Sequence, residues 1–425
     1  MAFNMSVLGG IFMASNSILV IGGGFSGLTA ALEAAELGHE VFIVEKTPFL
    51  GGRVMQLNKY FPKLCPPSCG LEIQYQRIKN NPKVKFFTLA EVTKVNGAPG
   101  AYEVTVRIRP RHAGPNSPDL SGLCGELNAE VPNDFDFGLS TRKAVYMDAP
   151  FAFPQRYVVD KTALSSADKA KVQKCGYFDL NEEEKEITLN VGSIVIATGW
   201  KPYDVKKLTN LGAGEIENCI TNMQMERLAS PFGPTNGKIL RPSDGNAPRK
   251  VAFVQCAGSR DENHLHYCSY ICCMASLKQA QYVREQYPDA EVTIYYIDLR
   301  TPGRYENFAR KILSDENVHA VKGKVAAVTR DKAGDDVWVT VEDAVSGAKS
   351  VERFDLVVLA TGMQPSLADS PLPLDISMDA EGFIQDGGGK GIFAAGCAKQ
   401  PLDVTKSAQS ATGAAMQAIQ TVRGR

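Results

Sequence analysis

The sequence predicts an α/β protein made of two Rossmann-like dinucleotide-binding units, the second inserted in the first. Three observations carry this expectation. Residues 17–45 read as a complete strand, glycine turn, helix and strand. Residues 250–297 repeat the strand–loop–helix–strand order. Two apolar strands, Ser193–Gly199 and Phe354–Gly362, both end in Ala-Thr-Gly and flank that second unit. The expected division is a tail over 1–16, a first unit over 17–235 and 355–425, and a second unit over 236–354.

Each element follows from local pattern. Ser17–Ile21 (SILVI) is a short β-branched run, as in a parallel strand buried on both faces. Leu28–Gly38 is an Ala/Leu-rich helix closed by glycine, and His39–Glu45 (HEVFIVE) is the next strand. Tyr102–Ile108 and Glu186–Val191 alternate as half-exposed strands do. Between them, about 110–174 is polar, Pro-dotted and expected to be an irregular insert. The Pro/Gly/Ser-rich stretch 231–248 is the expected crossing between units. Lys250–Gln255, Leu277–Glu285 and Glu291–Ile297 supply the second strand–helix–strand, and 407–425 an Ala-rich final helix.

Composition narrows the function. The chain has 425 residues, enough for two or three domains, with 44% hydrophobic and 22% charged positions. Lys plus Arg is 46 against 47 Asp plus Glu, so no net field favours nucleic acid or anionic lipid. No apolar run approaches the ~20 residues of a membrane-spanning helix. The ten cysteines stand in a long chain, so they point to metal binding or redox chemistry in a reducing cytoplasm and not to a disulfide scaffold. The first sixteen residues carry no Lys or Arg and lack a secretory n-region, and Met13 is an alternative start.

Gly22-x-Gly24-x-x-Gly27 sits between a strand and a helix, with Glu45 about 20 residues on. Gly22 permits the turn, Gly24 admits a pyrophosphate near the backbone, and Gly27 lets helix and strand approach. The helix N-terminus, with Phe25 and Ser26, supplies orphan N–H groups to the phosphates. Glu45 is expected to accept the ribose hydroxyls. Glu45-Lys46 followed by Gly51-Gly52-Arg53 resembles the arrangement of two-dinucleotide-binding flavoproteins, which bind FAD. Ala197, Thr198 and Gly199 join the expected cofactor contacts. Gly391–Gly396 (GIFAAG) resembles the late segment of that superfamily beside the flavin ribityl and phosphates, with Cys397 where an acidic residue is usual. By the same resemblance, the helix opening at Asp403 and Ser407 points its N-terminus at the isoalloxazine.

The second unit has lost its nucleotide fingerprint. After strand KVAFVQ the turn reads Cys256-Ala257-Gly258-Ser259-Arg260-Asp261, with a single glycine. Cys268, Cys272 and Cys273 follow, giving C-x11-C-x3-C-C. Four thiolates within eighteen residues suit a tetrahedral metal or an iron–sulfur cluster. Cys268 and Cys272 are spaced as one helical face, with Cys273 turned by about 100°. That favours a cluster with several irons over one zinc. Unligated core thiols and a dithiol–disulfide site are the alternatives, and His264 and His266 are further candidate ligands.

The run VQCAGSRDENHLHYCSYICCMASLKQA, joined to this FAD unit, resembles the A-type subunits of the heterodisulfide reductase family. Within that family, the chain looks most like the smaller flavoprotein subunits of quinone-interacting membrane-bound oxidoreductase complexes of sulfate reducers. The resemblance implies FAD and a [4Fe–4S] cluster on Cys256, Cys268, Cys272 and Cys273. The partners it implies are a homologous flavin/iron–sulfur subunit, together with a quinone-reactive membrane subunit. Electrons would pass between the menaquinone pool and a cytoplasmic acceptor such as adenylylsulfate reductase, with the chain held at the inner membrane through those partners. Ferredoxin-type Cys-x2-Cys-x2-Cys-x3-Cys runs of larger members are absent from the sequence. Cys65 and Cys69, spaced C-x3-C, are read as structural before redox-active, and Cys124, Cys175 and Cys219 as inert. A free-standing NAD(P)H-dependent disulfide oxidoreductase is the alternative function.

Overall fold

Strand Ile18–Ile21 has β-branched or leucine side chains on both faces, so it is stable only in the middle of a covered sheet. The computed structural model, which describes residues 14–115, 120–332, 334–385 and 389–424, places it there. Five parallel strands run in the order 392–394, 193–196, 18–21, 41–44 and 84–87. On one face lie helices Phe25–Glu36, Pro67–Asn80 and Val404–Val422. The first and last of these meet through Ala31, Ala34, Ala411 and Ala415, whose small side chains permit close packing. The other face is covered by the antiparallel strands 90–98, 101–108 and 185–191.

The second sheet has seven strands in the order 219–221, 356–361, 250–257, 291–296, 318–330, 337–343 and 349–354. The first five run parallel, and the last two close as antiparallel hairpins. Helices Asn222–Ala229, Cys272–Gln286 and Tyr305–Leu313 cover one face.

The boundaries differ from the expected ones. Strands 219–221 and 356–361 belong to the second sheet, although the sequence assigned them to the first unit. The chain crosses at Trp200–Pro202 and Met363–Pro365, which pair antiparallel with each other. The Pro-rich stretch 231–248 is a loop inside the second unit. Two fully apolar strands ending in Ala-Thr-Gly look alike in sequence; only strand pairing decides which sheet each joins. The insert is also more ordered than its composition implied. It holds helices Ser121–Glu126 and Ser166–Lys174, two small hairpins, and an apolar cluster around Leu127, Val145, Leu164 and Val172. Of the expected tail, residues 1–13 lie outside the described residues, as do 116–119 of the insert.

Candidate functional site

The glycine turn is built by steric necessity. Gly22 has φ +106°, and a Cβ there would meet Ala197 O at 2.3 Å. A Cβ on Gly27 would meet Gly22 O at 1.8 Å, so this residue seats the helix on the turn. Gly24 pairs with Gly51 across the turn, and a Cβ on Gly52 would come within 2.9 Å of Gly24 Cα. The two glycine segments therefore close on each other and leave bare backbone facing a cavity.

That cavity, of about 590 Å³, runs along the seam of the two units. Gly22, Gly24, Phe25 and Ser26 line one end with Glu45, Lys46, Gly52 and Arg53. Ala197, Thr198, Gly199 and Cys397 line it as well, with Ala197 and Thr198 directly against Gly22. Gly27 and Gly396 stand behind the wall. Gly396 is fixed by φ +61° and by its N–H donating to Ser410 Oγ at 3.0 Å. Cys397 is buried, its thiol facing Leu402 O at 3.4 Å, and burial pushes its pKa up.

Glu45 is more occupied than the sequence implied. Its Oε2 accepts from Gly23 N–H at 2.6 Å and its Oε1 from Thr47 N–H and Oγ1–H at 2.7 Å. The carboxylate thus holds the turn in shape, while the residue lines the cavity. Arg53 donates to Trp200 O at 3.2 Å and Gln56 Oε1 at 3.0 Å, tying the Gly-Gly-Arg segment to the crossing strand.

The cavity's other wall comes from the second unit, which sequence reasoning missed. Ile271, Ala275, Lys278 and Gln279, at i, i+4, i+7 and i+8, form one stripe leading up to and along helix Cys272–Gln286. Asn222, Met223 and Glu226 face it from helix Asn222–Ala229. Glu226 and Lys278 pair at 2.9 Å. Glu226 also accepts from Asn58 N–H at 2.9 Å, and Lys278 donates to Lys59 O at 2.7 Å, so the pair bonds the first unit's backbone. The available signal was a lysine beside a glutamine on an otherwise buried helix stripe.

The four cysteines come from a strand end, a loop and a helix and lie within electrostatic reach of one another. The register of strand 250–257 against 356–361 slips between Val254 and Ala257, and Cys256 has φ +57°. This bulge lifts Cys256 off the ladder. Cys272 and Cys273 open helix Cys272–Gln286, whose unpaired N–H groups favour negative charge. Cys268 is not on that helix, which corrects the expected one-face spacing with Cys272; a loop carries it instead, its sulfur accepting from Tyr270 N–H at 3.4 Å. The thiols feel one another. Burial, then Cys273 and Cys268, push Cys256 up to about 11, and burial, then Cys256, Cys273 and Cys268, raise Cys272 well above the thiol range. Among the described residues, no three of His, Cys, Asp and Glu converge as a single ion requires.

Of the remaining candidates, His266 lines a small surface pocket together with Cys268. His264 Nδ1 lies 3.0 Å from Tyr203 OH and His266 Nε2 lies 3.1 Å from Glu262 O. Cys65 is half-buried before helix Pro67–Asn80, and Cys69 is exposed in its first turn. Cys219 is buried and pushed up to about 12 by that burial. Cys124 is half-buried and Cys175 exposed.

The glycine cradle and the second unit stacked on it give a fold of two Rossmann-like units, the second inserted in the first. Residues 17–60 match the FAD dependent oxidoreductase family. The chain is 36% identical over 95% of its length to the first iron-sulfur A-type subunit of CoB–CoM heterodisulfide reductase from Methanopyrus kandleri. It is 37% identical over 95% of its length to the corresponding protein of Methanocaldococcus jannaschii. These matches cover 63% and 64% of the two relatives, so the chain spans just under two thirds of their length. The fold is similar to T. acidophilum thioredoxin reductase (TM-score 0.52, 14% identity, 96% and 97% of the two chains covered). It is equally similar to the bacillithiol disulfide reductase of Bacillus cereus (TM-score 0.53, 14% identity, 96% and 99% covered).

Proposed function

We propose that the chain is an electron-transfer subunit that holds FAD in the seam cavity and a [4Fe–4S] cluster on Cys256, Cys268, Cys272 and Cys273. One observation carries the reading: the helix that walls the cavity with Ala275, Lys278 and Gln279 begins with Cys272 and Cys273. A group in the cavity and a group on the thiols would share one rigid element, as electron transfer between them needs.

The residues present suit both groups. Bare backbone at Gly22, Gly24 and Gly52 admits a pyrophosphate, and Thr198 Oγ1 beside it is buried without a partner. Two thiols at a helix N-terminus, with one on a strand bulge and one on a loop nearby, suit iron–sulfur ligation, which would supply one-electron steps to the two-electron chemistry of FAD. The chain's own work is positional. The turn and Glu45 orient the dinucleotide, the stripe from Ile271 to Gln279 excludes water, and Glu226–Lys278 fixes charge at the seam.

By its likeness to the A-type subunits of heterodisulfide reductases, the chain would work within a multi-subunit complex. The finer reading places it between the menaquinone pool and adenylylsulfate reductase. There it would sit beside a homologous flavin/iron–sulfur subunit, with a quinone-reactive subunit holding it at the inner membrane. Among the described residues no helix is long and apolar enough to cross a membrane. Anaerobic purification with quantitation of flavin, iron and sulfide tests the reading. The expected result is one FAD and ~4 irons per chain. Flavin without iron or sulfide would remove the cluster, and rapid bleaching by NADH alone would favour the free-standing reductase.

A further inference from the structure

Five carboxylates reach the seam cavity: Glu45, Glu91, Asp148, Glu226 and Asp403. Four are committed. Glu45 holds Gly23 and Thr47. Glu91 faces Lys46 at 3.7 Å and Arg107 at 3.5 Å. Glu226 pairs with Lys278, and Asp403 caps Lys406 N–H at 2.8 Å while accepting from Tyr305. Asp148 differs. Among the described residues its carboxylate has no hydrogen-bond or ion-pair partner.

The charged neighbours of Asp148 explain why it stays unpaired. From its own insert it faces Arg142, Asp134, Asp136 and Tyr146. From helix Asn222–Ala229 it faces Arg227. Arg227 is already committed to Asp136 at 2.7 Å and Phe232 O at 2.9 Å. Arg142 lies over the Tyr146 ring at 3.3 Å, its Nε buried without a partner. Burial, aided by Asp136 and Asp134 and opposed by the two arginines, raises the carboxyl to about 6. The side chain keeps partial contact with solvent.

We propose that Asp148 is the group that exchanges protons with the redox cofactor of this cavity. The inference rests on the FAD reading above. When two electrons from a low-potential one-electron donor (an iron–sulfur centre, or dithionite in vitro) enter an isoalloxazine, one proton is taken up. The Asp148 O–H bond breaks, an N–H bond forms on the ring, and solvent re-protonates the carboxylate. Oxidation runs the same path backwards.

The linkage has a definite sign. Added negative charge in the cavity disfavours the carboxylate, so reduction raises the Asp148 pKa above its value in the oxidised protein. Between those two values the reduced protein binds a proton that the oxidised one does not. The flavin midpoint potential therefore falls more steeply with pH in that window.

The test is a redox titration of the flavin-loaded full chain against pH, for wild type, Asp148→Asn and Asp148→Glu. The expected result is a pH segment steeper than the rest of the curve in wild type, lost in Asp148→Asn and retained in Asp148→Glu. Should Asp148→Asn fail to load flavin, the infrared difference spectrum of wild type on reduction reads the same event as a change in a protonated-carboxyl band. Superimposable curves, or no carboxyl band, would overturn the proposal while leaving the FAD reading intact. Colourless wild-type protein would remove both.

Discussion

Glu226 Oε1 and Lys278 Nζ lie 2.9 Å apart, on two helices of the second unit, with the residues 1% and 2% exposed. Gln279 Nε2 donates to the same carboxylate oxygen at 2.6 Å. The pair is fully desolvated, so its worth to stability is small while both members are present and large when one is missing. It also bonds Asn58 and Lys59 of the first unit and so fastens the wall of the cavity.

Lys278→Met leaves a buried carboxylate without its cation and should cost about 3–5 kcal/mol. The midpoint of chemical denaturation measures this. The double change Glu226→Gln with Lys278→Met should recover much of the loss. A double variant no more stable than the single one would show that the pair is not acting as a unit.

Arg227 and Asp136 form a second buried pair at 2.7 Å, joining the insert to the second unit. Asp136→Ala strands the guanidinium, again at about 3–5 kcal/mol. Hydrogen exchange should quicken over 133–140, because Gln56 and Gln224 hold the carbonyls of Phe135 and Phe137 by single bonds only. Exchange spread evenly over the insert would argue against a local clamp.

Gly27→Ala should abolish flavin retention, since its Cβ would meet Gly22 O at 1.8 Å and push the helix off the turn. Gly38→Ala is the control. Nothing lies within 4 Å of a Cβ there, but φ is +95°, so the cost is strain of about 1 kcal/mol with flavin content unchanged. The absorbance ratio of flavin to protein reports both.

Cys272→Ser and Cys273→Ser should each lower iron and sulfide at least several-fold while FAD stays near one per chain. Cys397→Ser should leave the iron and sulfide unchanged, because that thiol's hydrogen-bond contacts are with Leu402 O and Ser407 Oγ and not with the four cysteines. Equal iron in all three variants would remove the cluster assignment.

The first nucleotide unit was legible because its signal is local. A turn that needs Gly22 at positive φ, and Gly27 against Gly22 O, must be written as glycines between a strand and a helix. The cysteine spacing was legible for the same reason, but its geometry was not. Spacing alone puts Cys268 on a helix that begins only at Cys272. Asp148, Glu226 and Lys278 escape a sequence reading because each is an ordinary charged residue until folding removes its water.

The sequence by itself determined the elements, the glycine cradle and the presence of four clustered thiols, all properties of neighbouring residues. Only the tertiary structure decided that strand 356–361 joins the second sheet, and that a helix starting with Cys272 walls the cavity floored by Gly24. It also decided which of five cavity carboxylates stays unpaired. Sheet order and burial depend on contacts between residues more than 100 positions apart, such as Asn58 with Glu226, and no local pattern encodes them.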